Sequence, residues 1–226
     1  MFKHYLSHGG AAKNSSMAMN DATNNSRFDW FVPYFVPHSN GDQKILEQWG
    51  FIPGIPELLM LRQVHALEHA TVWMLSSLQS SGSKSTDGAD DLSLGGLSTE
   101  RGFFLYGSVN QLQLKQAVKL ALTKLKRGEW NLALHPRCGT NASVSAILTT
   151  GAIFTSYAVL PKDPFVQLLG MGVAGMVTTW VAPDIGMSVQ RYLTTAIPFN
   201  LHLDSICQTK DKWGRPAHFI RLQWQN

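Results

Sequence analysis

Apolar residues recur along this chain at helical spacing, at strand spacing and in two long unbroken runs. From Glu57 or Leu58 to about Leu78, the positions Leu61, Val64, Leu67, Val72, Trp73 and Leu75 predict a helix that follows Pro53 and Pro56. Its stop is the Ser/Gly-rich stretch 79–91, whose composition predicts a solvated loop. Gly102-Phe103-Phe104-Leu105-Tyr106-Gly107 reads as a strand bounded by glycines. A second helix is expected over Val109–Arg127, with Leu112, Leu114, Ala117, Val118, Ala121, Leu122 and Leu125 at helical spacing and Gly128 as its stop. Trp130-Asn131-Leu132-Ala133-Leu134 then reads as another strand, so the unit is strand, helix, strand, which favours a right-handed crossover and a parallel pair.

Beyond Asn141 the pattern loses its periodicity. Ala142–Leu160 carries no charge, and Phe165–Ala182 is a second apolar run rich in glycine. Each approaches the roughly 20 residues that cross a hydrocarbon core. Pro161-Lys162-Asp163-Pro164 is short enough only for a tight turn, so a transmembrane helical hairpin is expected, with Gly170, Gly172, Ala174 and Gly175 permitting close approach. The competing reading is a buried soluble pair, because Thr149, Thr150, Thr155, Ser156, Thr178 and Thr179 dilute both runs. Length and absence of charge favour the membrane. Arg137 and Arg191 flank the outer ends, which places both long flanks on the cytoplasmic or stromal side of a cytoplasmic or thylakoid membrane. Asp184, after Pro183, is either a functional carboxylate or, preferably, the cap of a new short helix with Met187, Gln190 and Arg191. The tail from Phe199 alternates weakly and suggests one or two strands returning to the soluble part.

Four segments follow. Residues 1–26, rich in Asn, Ser, Ala and Gly, are a disordered leader; they are acid-poor like a plastid transit peptide but hold few arginines. Residues 27–141 form a cytoplasmic metal-site domain, opened by the aromatic, proline-punctuated stretch 27–58, which suits an interfacial belt or an arm packed over a core. Residues 142–187 are the hairpin, and 188–226 return to the metal-site domain. The fold class expected is α+β. Composition agrees with a membrane setting: of 226 residues 44% are hydrophobic and 15% charged. The net charge of +4 is scattered, which gives nucleic-acid binding no support, and two cysteines make no disulfide framework. No charged start followed by an apolar core marks a secretory signal.

Chemistry concentrates in two places. On the first helix His65, Glu68 and His69 stand three and four apart and share a face. Two imidazoles one turn apart are ligands for zinc or a similar ion, and Glu68 can act as base or ligand. Downstream, His135-Pro136-Arg137-Cys138-Gly139-Thr140-Asn141 puts an imidazole and a thiol in one bend, supplying third and fourth ligands. His202, His218 and Cys207 are lone residues, expected to be structural.

His-x-x-Glu-His matches the inverzincin pattern, which implies that both histidines bind zinc and the glutamate activates water. The family's third ligand is a downstream glutamate on another helix; Glu100 and Glu129 are the options here, and neither has an obvious helix partner. Together with Gly102–Gly107, His135–Asn141 and Gln190-Arg191-Tyr192-Leu193-Thr194-Thr195, the stretch Arg62–Thr71 resembles a cyanobacterial and plastid membrane family of unknown function, domain-of-unknown-function family 6391, over residues 44–200. The Ser/Gly stretch before Asp91 departs from that family's core. More distantly, Ala66–His69 with His135–Thr140 is similar to a bacterial membrane family described as metal-dependent enzymes, domain of unknown function 1385. The resemblance implies a membrane setting and a metal held by His65, His69, His135 and Cys138 beside Glu68, with no substrate. Two functions are consistent: a zinc-dependent hydrolase, a protease in its narrower form, with Glu68 as base, or a non-enzymatic scaffold or assembly factor for membrane complexes, with a structural metal. The bilayer is the expected partner in either case.

Overall fold

The computed structural model describes residues 39–80 and 94–225. The expected leader, the aromatic stretch as far as residue 38 and most of the Ser/Gly loop lie outside them. The fold is α+β, with a long central helix, an antiparallel sheet and a helical hairpin.

Two helices open it, α1 (Ser39–Trp49) and α2 (Ile55–Ser80). Between Pro37 and Pro53 the chain has no proline, which gives α1 room. Asp42 on α1 binds Arg62 on α2 at 3.0 Å, fastening the two together. Pro56 stands in the first turn of α2, where its missing N–H costs nothing. From Gln63 to Ser76 that helix is buried almost throughout, because the sheet and the helix Gln111–Lys126 cover one side and the start of the hairpin region covers another.

The sheet consists of β1 (Gly95–Thr99), β2 (Gly102–Tyr106), β3 (Leu201–Lys210) and β4 (Pro216–Trp224), in the order β1-β2-β4-β3, all antiparallel. The tail supplies β3 and β4, as its alternation suggests, and β4 inserts beside β2 with Phe103 opposite Ile220. Helix α3 (Gln111–Lys126) is capped by Asn110, whose side chain accepts the amides of Leu112 and Gln113. Its Leu114, Ala117, Val118, Ala121 and Leu125 meet Val64, Leu67 and Leu75 of α2 and Phe103, Leu105 and Ile220 of the sheet in one core. Leu112, outside that stripe, is exposed.

The expected second strand is not a strand. Trp130–Ala133 is a 3₁₀ turn, held by Leu132 N–H to the Glu129 carbonyl at 3.2 Å and Leu134 N–H to the Asn131 carbonyl at 3.1 Å. The sheet position beside β2 belongs to β4, so no parallel crossover forms. Five residues with alternating apolar positions do not separate a strand from a helical turn, and packing against α2 decides: Trp73 Nε1 donates to the Leu134 carbonyl at 2.9 Å.

Helices α4 (Gly139–Val159) and α5 (Pro164–Val189) form the hairpin, and both are long and apolar enough to cross a membrane. At about 1.5 Å per residue α4 is roughly 31 Å long. The apolar stretches are 0% and 11% buried, so the described residues of the chain do not cover them as they would the core pair of a soluble fold. Asp163 caps α5 by accepting the amides of Phe165 and Val166 at 3.0 Å, while Gln167 Nε2 donates to the carbonyls of Leu160 and Pro161 at the turn. Thr149 and Thr178 bond across the pair at 3.3 Å. Of the expected contact glycines, Gly170 packs on Leu160, whereas Gly172 and Gly175 face open space; Gly186 meets Asn141. Asp184 caps no new helix. Helix α5 continues through Pro183, which has no N–H to give the carbonyl of residue 179, and closes in a π turn, Gln190–Thr194.

Gly102 has φ +142, and a β-carbon there would strike the Ile220 carbonyl of β4. We expect Gly102→Ala to cost roughly 2–4 kcal/mol of stability, read as lost thermal stability in detergent. Gly172→Ala, which meets nothing within 4 Å, should cost none.

Candidate metal centre

The site forms where α2 passes the outer ends of the hairpin. His65 Nδ1 lies 3.0 Å from the Thr194 carbonyl, at the close of the π turn. A carbonyl only accepts, so Nδ1 carries the proton and Nε2 keeps its lone pair. That Nε2 stands 3.2 Å from Cys138 Sγ, at the start of α4. One turn along α2, His69 Nδ1 is 2.6 Å from the Ala133 carbonyl, and the same reasoning frees its Nε2. Backbone carbonyls thus set both tautomers, as they do for metal-binding histidines. The ligand atoms of His65, His69 and Cys138 all lie within 4.8 Å of one another, and this group can hold a metal ion.

Cys138 is the N-cap of α4, where its Sγ accepts the Thr140 amide at 3.4 Å. Burial pushes its thiol up from the ordinary value, against the stabilising amides, and the nearby Glu68 charge adds to the rise. A bound cation reverses that balance and expels the thiol proton.

His135 does not join the other three. Gln190, buried, accepts the His135 amide at 2.9 Å and donates to its carbonyl at 3.0 Å, while also reaching Asn141 Oδ1 at 2.6 Å. The Arg137 amide lies 3.3 Å from the ring Nδ1. The imidazole instead packs beside His69 and Trp73, at ring separations of 5.6 and 4.9 Å. Three of the four expected ligands lie within 4.8 Å of one another; His135, whose ring packs beside His69, is not in that group. Glu129 pairs with Lys124 at 2.7 Å and Glu100 is exposed in the β1–β2 turn, so neither serves as the inverzincin third ligand.

Glu68 is buried against β1. Ser98 Oγ donates to its Oε2, and Gly96 lies so close to Oε1 that a β-carbon there would collide with it. Burial raises the carboxyl pKa, partly offset by the Ser98 hydrogen bond and by His65. Neither Ser98 nor Gly96 carries a sequence signal for this role, since nothing in a short polar strand says which helix it will meet.

A family model described as a domain of unknown function (DUF6391) matches residues 60–206. An uncharacterized protein of Picosynechococcus sp. is 46% identical over 199 residues, 88% of this chain and 97% of that protein. The chain belongs to the DUF6391 family. No solved structure matches it. The matched span takes in His65, Glu68, His69, the Cys138 bend and the whole hairpin.

All four groups, His65, Glu68, His69 and Cys138, line one cavity of about 530 Å³, with Leu58, Leu61, Leu94 and Leu193 among its apolar walls. That volume lies within the usual range for small-molecule sites.

Burial holds His69 well below the ordinary imidazole value of 6.5, and the His65 charge pushes the same way. In the metal-free protein the unfolded chain protonates this group below pH 6.5 while the folded chain resists. His69 therefore stabilises fully above 6.5 and loses up to about 1.4 kcal/mol per pH unit below it, until its folded pKa is reached. Glu68, raised, works oppositely: its contribution is present below 4.5 and is lost as pH rises through its folded value. We expect the stability difference between wild type and His69→Gln to shrink on acidification below 6.5, measured by melting temperatures across the pH series.

Proposed function

We propose that the chain is a membrane-anchored, zinc-dependent hydrolase with its site at one face of the bilayer. The observation that carries this reading is the presence of three convergent ligands and a buried carboxylate on the walls of one cavity. Two imidazole nitrogens and a thiolate suit zinc among the common divalent ions. Three protein ligands leave a coordination position open, which catalysis requires; a closed structural site needs a fourth ligand, and His135 is not in the convergent group. When bound, zinc supplies Lewis-acid polarisation of water and of a substrate carbonyl.

The protein groups have separate tasks. His65 and His69 present Nε2, held in place by the Thr194 and Ala133 carbonyls. Glu68 takes the proton from water at Oε1, the oxygen not engaged by Ser98, and its raised pKa suits a base that must later release that proton to a leaving group. Membrane anchoring is supported by the exposed apolar hairpin and by its outer end. There Arg191 lies over Trp130 at 4.2 Å and beside Tyr192, the residue types that populate a bilayer interface. Arg137 and Arg191 at that end favour the cytoplasmic or stromal side.

Elemental analysis of the full chain purified in detergent tests this reading, together with hydrolysis of p-nitrophenyl octanoate. Wild type should hold stoichiometric zinc, and His65→Ala and Cys138→Ser should lose it. Glu68→Gln should keep the zinc and lose roughly 100-fold or more in kcat. Stoichiometric zinc with hydrolysis indifferent to Glu68→Gln would favour the scaffold reading; no metal in wild type would end both.

A further inference from the structure

We infer that the cavity takes the acyl chain of an amphiphile directly from the bilayer, so that the substrate is an acyl ester of lipid character. This rests on the hydrolase reading and names its substrate class. The starting point is a set of large apolar side chains for which a soluble enzyme has no use. Leu58 and Leu61 on α2 are 53% and 38% exposed, and Leu193 on the π turn is 67% exposed; all three line the cavity. Trp49 and Phe51, just before α2, are exposed too.

This lip is continuous with the apolar span. Arg62, next to Leu61, donates to the carbonyls of Tyr192 and Thr195 at 3.3 and 3.1 Å, and the Ala196 amide donates back to the Arg62 carbonyl at 3.2 Å. Leu193 itself falls in the last turn of the long helix Pro164–Thr194, two residues beyond Arg191. The leucines at the mouth therefore stand at the interfacial end of the hairpin. Moving a methylene chain from lipid tails onto leucines exchanges like for like, so little opposes its lateral entry.

Inside, the lining is graded. Behind the lip lie the ligand groups and Glu68, and the buried Leu94 and Val72 close the apolar interior. An acyl chain that reaches Leu94 or Val72 passes its carbonyl across His65 and Cys138. Hydrolysis there breaks the acyl C–O bond, forms a new one to the oxygen of water, and passes the water's proton by way of Glu68 to the departing alcohol. The cavity volume fits one small-molecule chain.

The test uses the full chain in phospholipid nanodiscs containing phosphatidylcholine with a diazirine in its acyl chain, irradiated and mapped by mass spectrometry. Adducts are expected on the hairpin, for instance Ile147 and Leu168, and also at Leu94 or Val72. Leu58→Asp with Leu61→Asp should lower the interior adducts roughly tenfold relative to the hairpin adducts, the size of losing a leucine's apolar burial. Adducts that stop at Leu58, Leu61 and Leu193, or stay on the hairpin, would overturn the proposal and leave an apolar protein segment as the remaining occupant. Interior yields unmoved by the double variant would overturn it as well. Stripping zinc with a chelator should leave the interior adducts intact. Interior adducts in a protein without stoichiometric metal would thus retire the hydrolase and keep the acyl site. Interior silence beside intact zinc and Glu68-dependent turnover would do the reverse.

Discussion

His65 is the residue through which the two halves of this molecule communicate. Its Nδ1 is bound by the carbonyl of Thr194, where the hairpin returns, and its Nε2 faces the thiol of Cys138, where the hairpin departs. One imidazole on a buried helix thereby ties both outer ends of a long apolar excursion to the globular core. The site can exist only if α4 and α5 leave and re-enter at the same place, and the antiparallel hairpin guarantees that they do.

A second tie runs parallel to the first. Gln190 bonds both backbone groups of His135 and the side chain of Asn141, joining the end of α5 to the bend before α4. Together these bonds hold Cys138 over α2 without asking it to sit on a rigid strand. The electrostatics follow from burial: a carboxylate pushed up, an imidazole held neutral and a thiol kept protonated share a small apolar volume. Each of those shifts reflects the cost of charge in a low dielectric, and a divalent cation offsets that cost for all of them at once.

Much of the architecture was legible wherever a pattern was long. Helix α2 begins and ends within about three residues of its periodicity, α3 buries most of its expected stripe, and two charge-free runs yield two exposed helices. Short signals misled. The alternation of Trp130–Leu134 suits a strand, but the neighbour it needed was already paired with a strand from the tail. Asp184, after Pro183, looked like the cap of a new helix, yet the helix continues through that proline, which deletes one bond and leaves the rest standing. His135 had the right chemistry and the right bend, but its ring packs beside His69 and Trp73 and is not in the group of three. Gly172 and Gly175 have the right size for helix contact but lie on the wrong side of α5.

What the chain's own text determined is therefore local: helix spacing puts His65, Glu68 and His69 on one face, and uncharged length makes a hairpin. Both follow from periods of a few residues and from transfer free energy summed along a segment. Only the tertiary structure decided which distant groups meet that face. Cys138, Ser98 and the carbonyls of Ala133 and Thr194 arrive from up to 129 residues away in sequence. No local rule encodes the tautomer of an imidazole, since it depends on whichever carbonyl packing brings within 3 Å.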